Sequence, residues 1–263
     1  MSNKQPIGIF DSGIGGLSIW KEIVTLLHNE NTIYLADSKN APYGQKPKEK
    51  IIELCVKNTE LLLEKNCKLI VVACNTATTN AIKYLRTNYN IPFIGIEPAI
   101  KPAALQTKTN SIGILATKGT LSSELFNSTS QKFSDGITII EQIGEGLVPL
   151  IESGNIGSVE MDNLLRKYLN PMLEKKIDYL VLGCSHYPFL ISQIRKIVGN
   201  NVTIIDSGEA VAKQTQFILK QHELLNNNNT KPQHELCINS DITTMEQIAN
   251  NLQNNYLIKK LDF

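Results

Sequence analysis

The sequence predicts an α/β protein of two similar three-layer α/β domains with mainly parallel sheets, related by pseudo-two-fold symmetry and facing each other. Three observations carry this. Short β-branched runs alternate with amphipathic stretches, the pattern of repeated βαβ units. Several runs are apolar throughout, as strands covered on both faces should be. Two kinds of segment also recur in the same order in each half of the chain.

Strands are expected over residues 7–10, 32–36, 69–73, 93–96, 111–116, 137–142, 179–183 and 202–205. Helical spacing lies between them: Leu17, Trp20, Val24 and Leu27 share one face, as do Ile51, Cys55, Thr59 and Leu62. Trp20 therefore reads as a core residue rather than a stacking platform. Residues 69–76 and 179–186 both read as strand, small residue, cysteine and polar pair. Residues 7–13 and 112–118 both read as a glycine-containing strand entering a polar turn. The seam of this duplication falls near Glu97-Pro98. Beyond Asp206, residues 208–221 read as a helix, and 224–233, with four consecutive asparagines, as a polar loop without core residues. Strands at 234–240 and 256–261 would flank a helix at 243–252. This tail is expected to return to the first half. The domains are then 1–97 plus 208–263, and 98–207.

Composition excludes several functions. A chain of 263 residues can bury a core without disulfides. A net charge of +1 gives no footprint for nucleic acid or an anionic membrane. Lysines interspersed with acids read as solvated surface. No segment resembles a signal peptide or is long and apolar enough to span a bilayer, so a cytoplasmic protein is expected. The five cysteines are odd in number and lack zinc spacing, so free thiols and no metal are expected.

Sites in open parallel sheets form beyond the carboxyl ends of strands. Five polar turns fall there: Asp11-Ser12-Gly13, Asp37-Ser38, Cys74-Asn75-Thr76, Thr117 and Cys184-Ser185-His186. Alone, a strand-end Asp or Ser can be a helix cap, and a Cys a small buried hydrophobe. The matched positions of Cys74 and Cys184 are what point to chemistry. Inverting a stereocentre by proton transfer requires removal from one face and delivery to the other. Two acid/base groups of one type, one charged and one neutral, meet that need. A thiol's ordinary pKa lies near working pH, and a helix start, expected after each cysteine, would lower it. Asp11, Glu152 and His186 are candidates to assist, since a histidine beside a cysteine can take its proton. His28, His222 and His234 read as surface residues. The turn Gly13-Ile14-Gly15-Gly16 lacks the spacing and lysine of a phosphate loop, and Asp11 would repel phosphate. Its glycines would let backbone approach a small ligand.

Several segments together resemble the glutamate racemases of the aspartate/glutamate racemase superfamily: Asp11 to Leu17, Ala41-Pro42-Tyr43-Gly44, Ala73 to Ala77, Leu147 to Leu150 and Gly183 to Pro188. The resemblance runs from Ile7 to about Gly208. It implies an isomerase of two α/β domains, with the active site at the domain interface, that interconverts L- and D-glutamate with no cofactor and no metal, supplying D-glutamate for peptidoglycan. It implies Cys74 and Cys184 as the catalytic acid/bases, assisted by Asp11, Glu152 and His186. Substrate contacts would come from Asp11, Ser12, Tyr43, Gly44, Asn75, Thr76, Thr117, Thr120, Ser185 and His186. Glutamate is then the small-molecule partner, and a homodimer is expected because such helical faces commonly pair. Two departures stand out. Ser185 replaces the usual threonine, keeping the hydroxyl. Gly144-Glu145-Gly146 replaces the usual Cys-Pro-Gly, which alters the turn into Leu147. Two other readings stay open: a racemase or isomerase of another substrate on the same scaffold, and a non-enzymatic amino-acid binder or thiol sensor.

Overall fold

The computed structural model describes residues 2–228, 231–250 and 256–263. Its first sheet has six strands: β1 (Ile7–Asp11), β2 (Thr32–Ala36), β3 (Leu69–Val72), β4 (Phe93–Gly95), β9 (His234–Ile238) and β10 (Leu257–Lys260). Its second has four: β5 (Ser111–Ala116), β6 (Thr138–Ile143), β7 (Tyr179–Gly183) and β8 (Thr203–Ile205). The orders are β10-β9-β2-β1-β3-β4 and β6-β5-β7-β8, and each pairing is parallel. Setting β1 against β5 makes the four-strand orders identical, β2-β1-β3-β4 against β6-β5-β7-β8. This is the duplication expected from the repeated segments, and it puts Cys74 and Cys184 just past equivalent strands.

The strands form where expected, to within a residue or two at the ends. The central ones, β1 and β3, are buried along their whole length, as sheet covered on both faces requires. Edge strand β6 has only exposed and half-buried positions. The tail returns as β9, which pairs with β2, while β10 pairs with β9. The helix expected over 243–252 spans Thr243–Ala249, and residues 251–252 lie outside the described residues. The helix Gly208–Gln221 packs against Leu17–Leu26 and begins beside the inter-lobe crossing, where the Ser207 hydroxyl donates to the Glu97 carbonyl at 2.5 Å.

Three expectations need correction. His234 is buried, not a surface residue. It lies edge-on to Trp20 with ring centroids 5.6 Å apart, and its Nδ1 is 2.9 Å from the Thr32 hydroxyl. Trp20 itself is fully buried, with its indole N–H donating to the same hydroxyl at 2.8 Å. The segment 224–233 does contribute to the interior. Leu224 and Asn226 are buried, and the Asn226 amide donates to Glu30 Oε1 at 2.8 Å. Finally, one lysine is not on the surface. Lys68 is fully buried and donates to Glu30 Oε2 at 2.5 Å, to the Asn3 carbonyl at 2.6 Å and to the Leu224 carbonyl at 2.9 Å. Both ions give up hydration, so burial pushes the Glu30 pKa up and the Lys68 pKa down. What they supply is a fixed junction of the N-terminal segment, the turn before β2 and the loop after the helix Gly208–Gln221.

Breaking a buried ion pair by removing one partner strands the other charge. Lys68→Ala is therefore expected to cost about 3–5 kcal/mol in urea unfolding. Lys68→Met combined with Glu30→Leu should recover most of that loss, and a double variant no better than the single would refute this account. His234 gives a second outcome. Burial lowers its pKa to about 4, whereas an unfolded histidine titrates near 6.5. Its contribution is complete above the unfolded value and is lost as pH falls from about 6.5 toward 4, by up to about tenfold in the folding constant per pH unit. Chemical denaturation of wild type and His234→Gln across this window checks it, since the variant should have the shallower pH dependence.

Candidate active site

The carboxyl ends of the two sheets face each other, and the strand-end turns meet between them. One small cavity there is lined by Ser12, Tyr43, Gly44, Cys74, Asn75, Thr76, Thr117, Cys184, Ser185 and His186, with Pro42 and Val148. Its volume is about 10 Å³, so the lobes are closed on it. Thr120 adjoins through its hydroxyl, 3.0 Å from that of Thr117 and 3.3 Å from that of Thr76. Thr76 and Thr117 lie 2.8 Å apart across the lobes.

The two cysteines differ in setting. Cys74 caps the helix Asn75–Asn88, and its sulfur accepts the Ala77 N–H at 3.4 Å. Its thiol also donates to Ser12 Oγ at 3.6 Å. The helix start was expected to lower its pKa. Instead burial, reinforced by the Asp11 carboxylate, pushes it well up, because one N–H cannot offset the loss of water around a thiolate. Cys184 does not open a helix directly. A turn and a short 3₁₀ segment, Tyr187–Leu190, come first. Its sulfur lies 3.8 Å from His186 Nδ1. The remaining three cysteines are buried apart from this cavity, and burial raises Cys67 to about 12.

Each half brings a carboxylate. Asp11, at the end of β1, is fully buried and accepts the Ser12 N–H at 2.7 Å, the Gly16 N–H at 2.6 Å and the Ser185 hydroxyl at 3.2 Å. Burial raises its pKa, partly offset by the nearby His186 charge and the Gly16 N–H. Glu152 closes the helix Leu147–Glu152 and crosses to the other lobe. Its Oε1 is 2.6 Å from His186 Nε2 and accepts the Ile14 N–H at 2.7 Å, and its Oε2 accepts the Ser38 hydroxyl at 2.7 Å. Burial alone would raise Glu152, but His186, Ser38 and Ile14 hold it below the usual carboxylate range. Burial alone would lower His186, but its bonds to Cys184 and Glu152 carry it well above an ordinary imidazole.

The glycine turn also makes room for the opposite lobe. A Cβ on Gly13 would collide with the Glu152 carboxylate, and one on Gly15 with the His186 ring. These glycines admit two side chains of the opposite lobe. The Tyr34 hydroxyl holds the turn by donating to the Gly13 carbonyl at 2.6 Å. The altered segment before Leu147 is held by two tyrosines: Tyr187 donates to the Gly144 carbonyl at 3.2 Å and Tyr168 to the Glu145 carbonyl at 2.8 Å. Gly146 takes a left-handed φ of 82°, which a glycine allows without strain. Tyr43 is fixed through its hydroxyl to Asp37 Oδ2 at 2.5 Å.

A family model for Asp/Glu/Hydantoin racemase matches residues 7–215. The chain belongs to this family. Among family members it is 46% identical over 222 residues to a glutamate racemase of Herpetosiphon aurantiacus, covering 84% of this chain and 87% of that one. It is 44% identical over 247 residues to a glutamate racemase of Cupriavidus pinatubonensis, covering 94% and 91%. In structure it resembles a glutamate racemase isoform of Bacillus anthracis, with a TM-score of 0.88 at 30% identity, covering 99% and 98% of the two chains. It also resembles the glutamate racemase of Francisella tularensis in complex with D-glutamate, with a TM-score of 0.84 at 28% identity over 99% and 98%.

All the candidate residues from the sequence gather at this interface. Sequence reasoning missed Tyr34, Ser18, whose hydroxyl donates to the Ser185 carbonyl at 2.9 Å, and the bond from Ser38 to Glu152. A tyrosine among the apolar residues of β2 was a usable signal, because a buried hydroxyl needs a partner. The bonds of Ser18 and Ser38 have no local signature.

Gly15→Ala should force the lobes apart at His186 while leaving both sheets intact. Overpacking of this kind costs about 1–3 kcal/mol in urea unfolding, and the radius of gyration from small-angle scattering should rise. Unchanged values of both would mean that closure does not depend on this contact.

Proposed function

We propose that the protein interconverts L- and D-glutamate by cofactor-independent two-base proton transfer at Cα, with Cys74 and Cys184 as the acid/bases. The observation that carries this reading is that the two thiols follow equivalent strands, β3 and β7, and line one closed cavity. The relatives named as glutamate racemases support the choice of substrate, as does the Francisella protein's complex with D-glutamate.

In this mechanism His186, protonated and held by Glu152, stabilises Cys184 as a thiolate, while Cys74 stays a thiol. The thiolate takes the Cα proton and the S–H bond forms as the C–H bond breaks. The electron pair left on carbon is shared with the substrate carboxylate. Cys74 then gives its proton to the opposite face and becomes the thiolate, so the inverted product leaves the two sulfurs with exchanged protons. The reverse reaction starts from that state. Asp11 assists on the Cys74 side, where Ser12 bridges the sulfur and the carboxylate.

The substrate would be held by Asp11, Ser12, Tyr43, Gly44, Asn75, Thr76, Thr117, Thr120, Ser185 and His186. Asn75 fits this role best. Among the described residues its buried side-chain Nδ2 and Oδ1 have no partner, which is costly unless a ligand supplies one. We assign residues 1–97 plus 208–263 to one domain and 98–207 to the other, a division supported by the pairing of β9 with β2. The product is D-glutamate for peptidoglycan synthesis.

The test is deuterium wash-in at Cα from D₂O with each enantiomer, alongside polarimetry and without added cofactor. Exchange with both enantiomers is expected. Cys74→Ala and Cys184→Ala should each lower racemisation about 10²–10⁴-fold while calorimetry still detects glutamate binding. Absence of exchange, or faster turnover of aspartate than of glutamate, would overturn the reading.

A further inference from the structure

The catalytic reading explains Glu152 as the partner of His186, but it leaves unexplained why Glu152 is also bonded to the other lobe. Glu152 and His186 both belong to the lobe of the four-stranded sheet. The Ile14 N–H and the Ser38 hydroxyl belong to the other, and each donates to Glu152 at 2.7 Å. The Ile14 N–H and His186 share Oε1 of Glu152, whereas Ser38 alone holds Oε2 among the described residues.

From this geometry we infer that Ser38 is a positioning residue: it fixes the Glu152 carboxylate from across the interface, so that the relay from Glu152 through His186 to Cys184 is complete only when the lobes are closed. A carboxylate held at both oxygens cannot rotate away from the imidazole, and a hydrogen bond to a charged acceptor favours its ionised form. An open arrangement removes both cross-lobe donors at once and leaves Glu152 to water. Proton abstraction is thereby confined to the state in which the cavity is shut. This inference rests on the racemase reading. The titratable groups facing the pair are Asp11 from β1, Tyr34 from β2 and Cys184 after β7. None of them replaces the Ser38 hydroxyl at Oε2.

The test follows the imidazole of His186 by NMR titration, with the spectrum of His186→Asn used for assignment, in wild type, Ser38→Ala and Ser38→Thr. Loss of the hydroxyl should weaken the anchored carboxylate and lower the His186 midpoint by about 0.5–1 pH unit. The alkaline limb of kcat should move to lower pH with it, kcat should fall about tenfold, and KM should change little. Ser38→Thr keeps the hydroxyl and should return the midpoint toward that of wild type. A His186 midpoint in Ser38→Ala within about 0.2 unit of wild type, or an equal shift in both variants, would overturn the inference. The titration needs no turnover. A wild-type protein that fails to racemise glutamate would sink the functional reading, while the His186 midpoints still decide the role of Ser38.

Discussion

Two carboxylates lie between the lobes, Asp11 fully buried and Glu152 partly so, and each takes hydrogen bonds from the lobe opposite its own. Asp11 accepts the Ser185 hydroxyl, and Glu152 accepts the Ile14 N–H and the Ser38 hydroxyl. A buried carboxylate without donors is strongly unfavourable, so neither lobe can satisfy this region by itself. The glycines at 13 and 15, the tyrosine that grips their turn and the two tyrosines behind Gly144 and Glu145 all serve the close approach that this exchange demands. The site is therefore a property of the interface rather than of either sheet.

The exchange also breaks the symmetry of the fold. The strand orders match, yet Cys74 sits at a helix start beside a serine and Asp11, while Cys184 sits beside an imidazole backed by Glu152. A symmetric scaffold with unlike supports gives the two thiols different surroundings, which is what the proposed pair of acid/bases in opposite protonation states would need.

Much of this was legible in the chain. Apolar runs gave the strands because both sheets are covered on two faces, and the repeated cysteine motifs gave the paired site because they end equivalent strands. What stayed hidden depends on contacts between distant segments. Ser38 and Glu152 are 114 residues apart, and nothing local to either reveals the bond. His234 and Lys68 were misread for the same reason. Both look like solvated polar residues until the tail packs beside β2 and the loop after Gln221 closes over Glu30. The pKa of Cys74 was misjudged because a helix start is visible in sequence, whereas burial is not.

The tail strand has a consequence for how the molecule is made. β2 finds its outer neighbour in β9, nearly two hundred residues later in the chain, after every strand of the second sheet. During synthesis the open edge of β2 must wait, while the four-stranded sheet has all of its strands in one continuous stretch and can form first. An unpaired parallel edge is a template for wrong partners. The buried Asn226 and His234 thus join the interior only after every strand of the second sheet has been made, and the nascent chain is most exposed to misassociation just before they arrive.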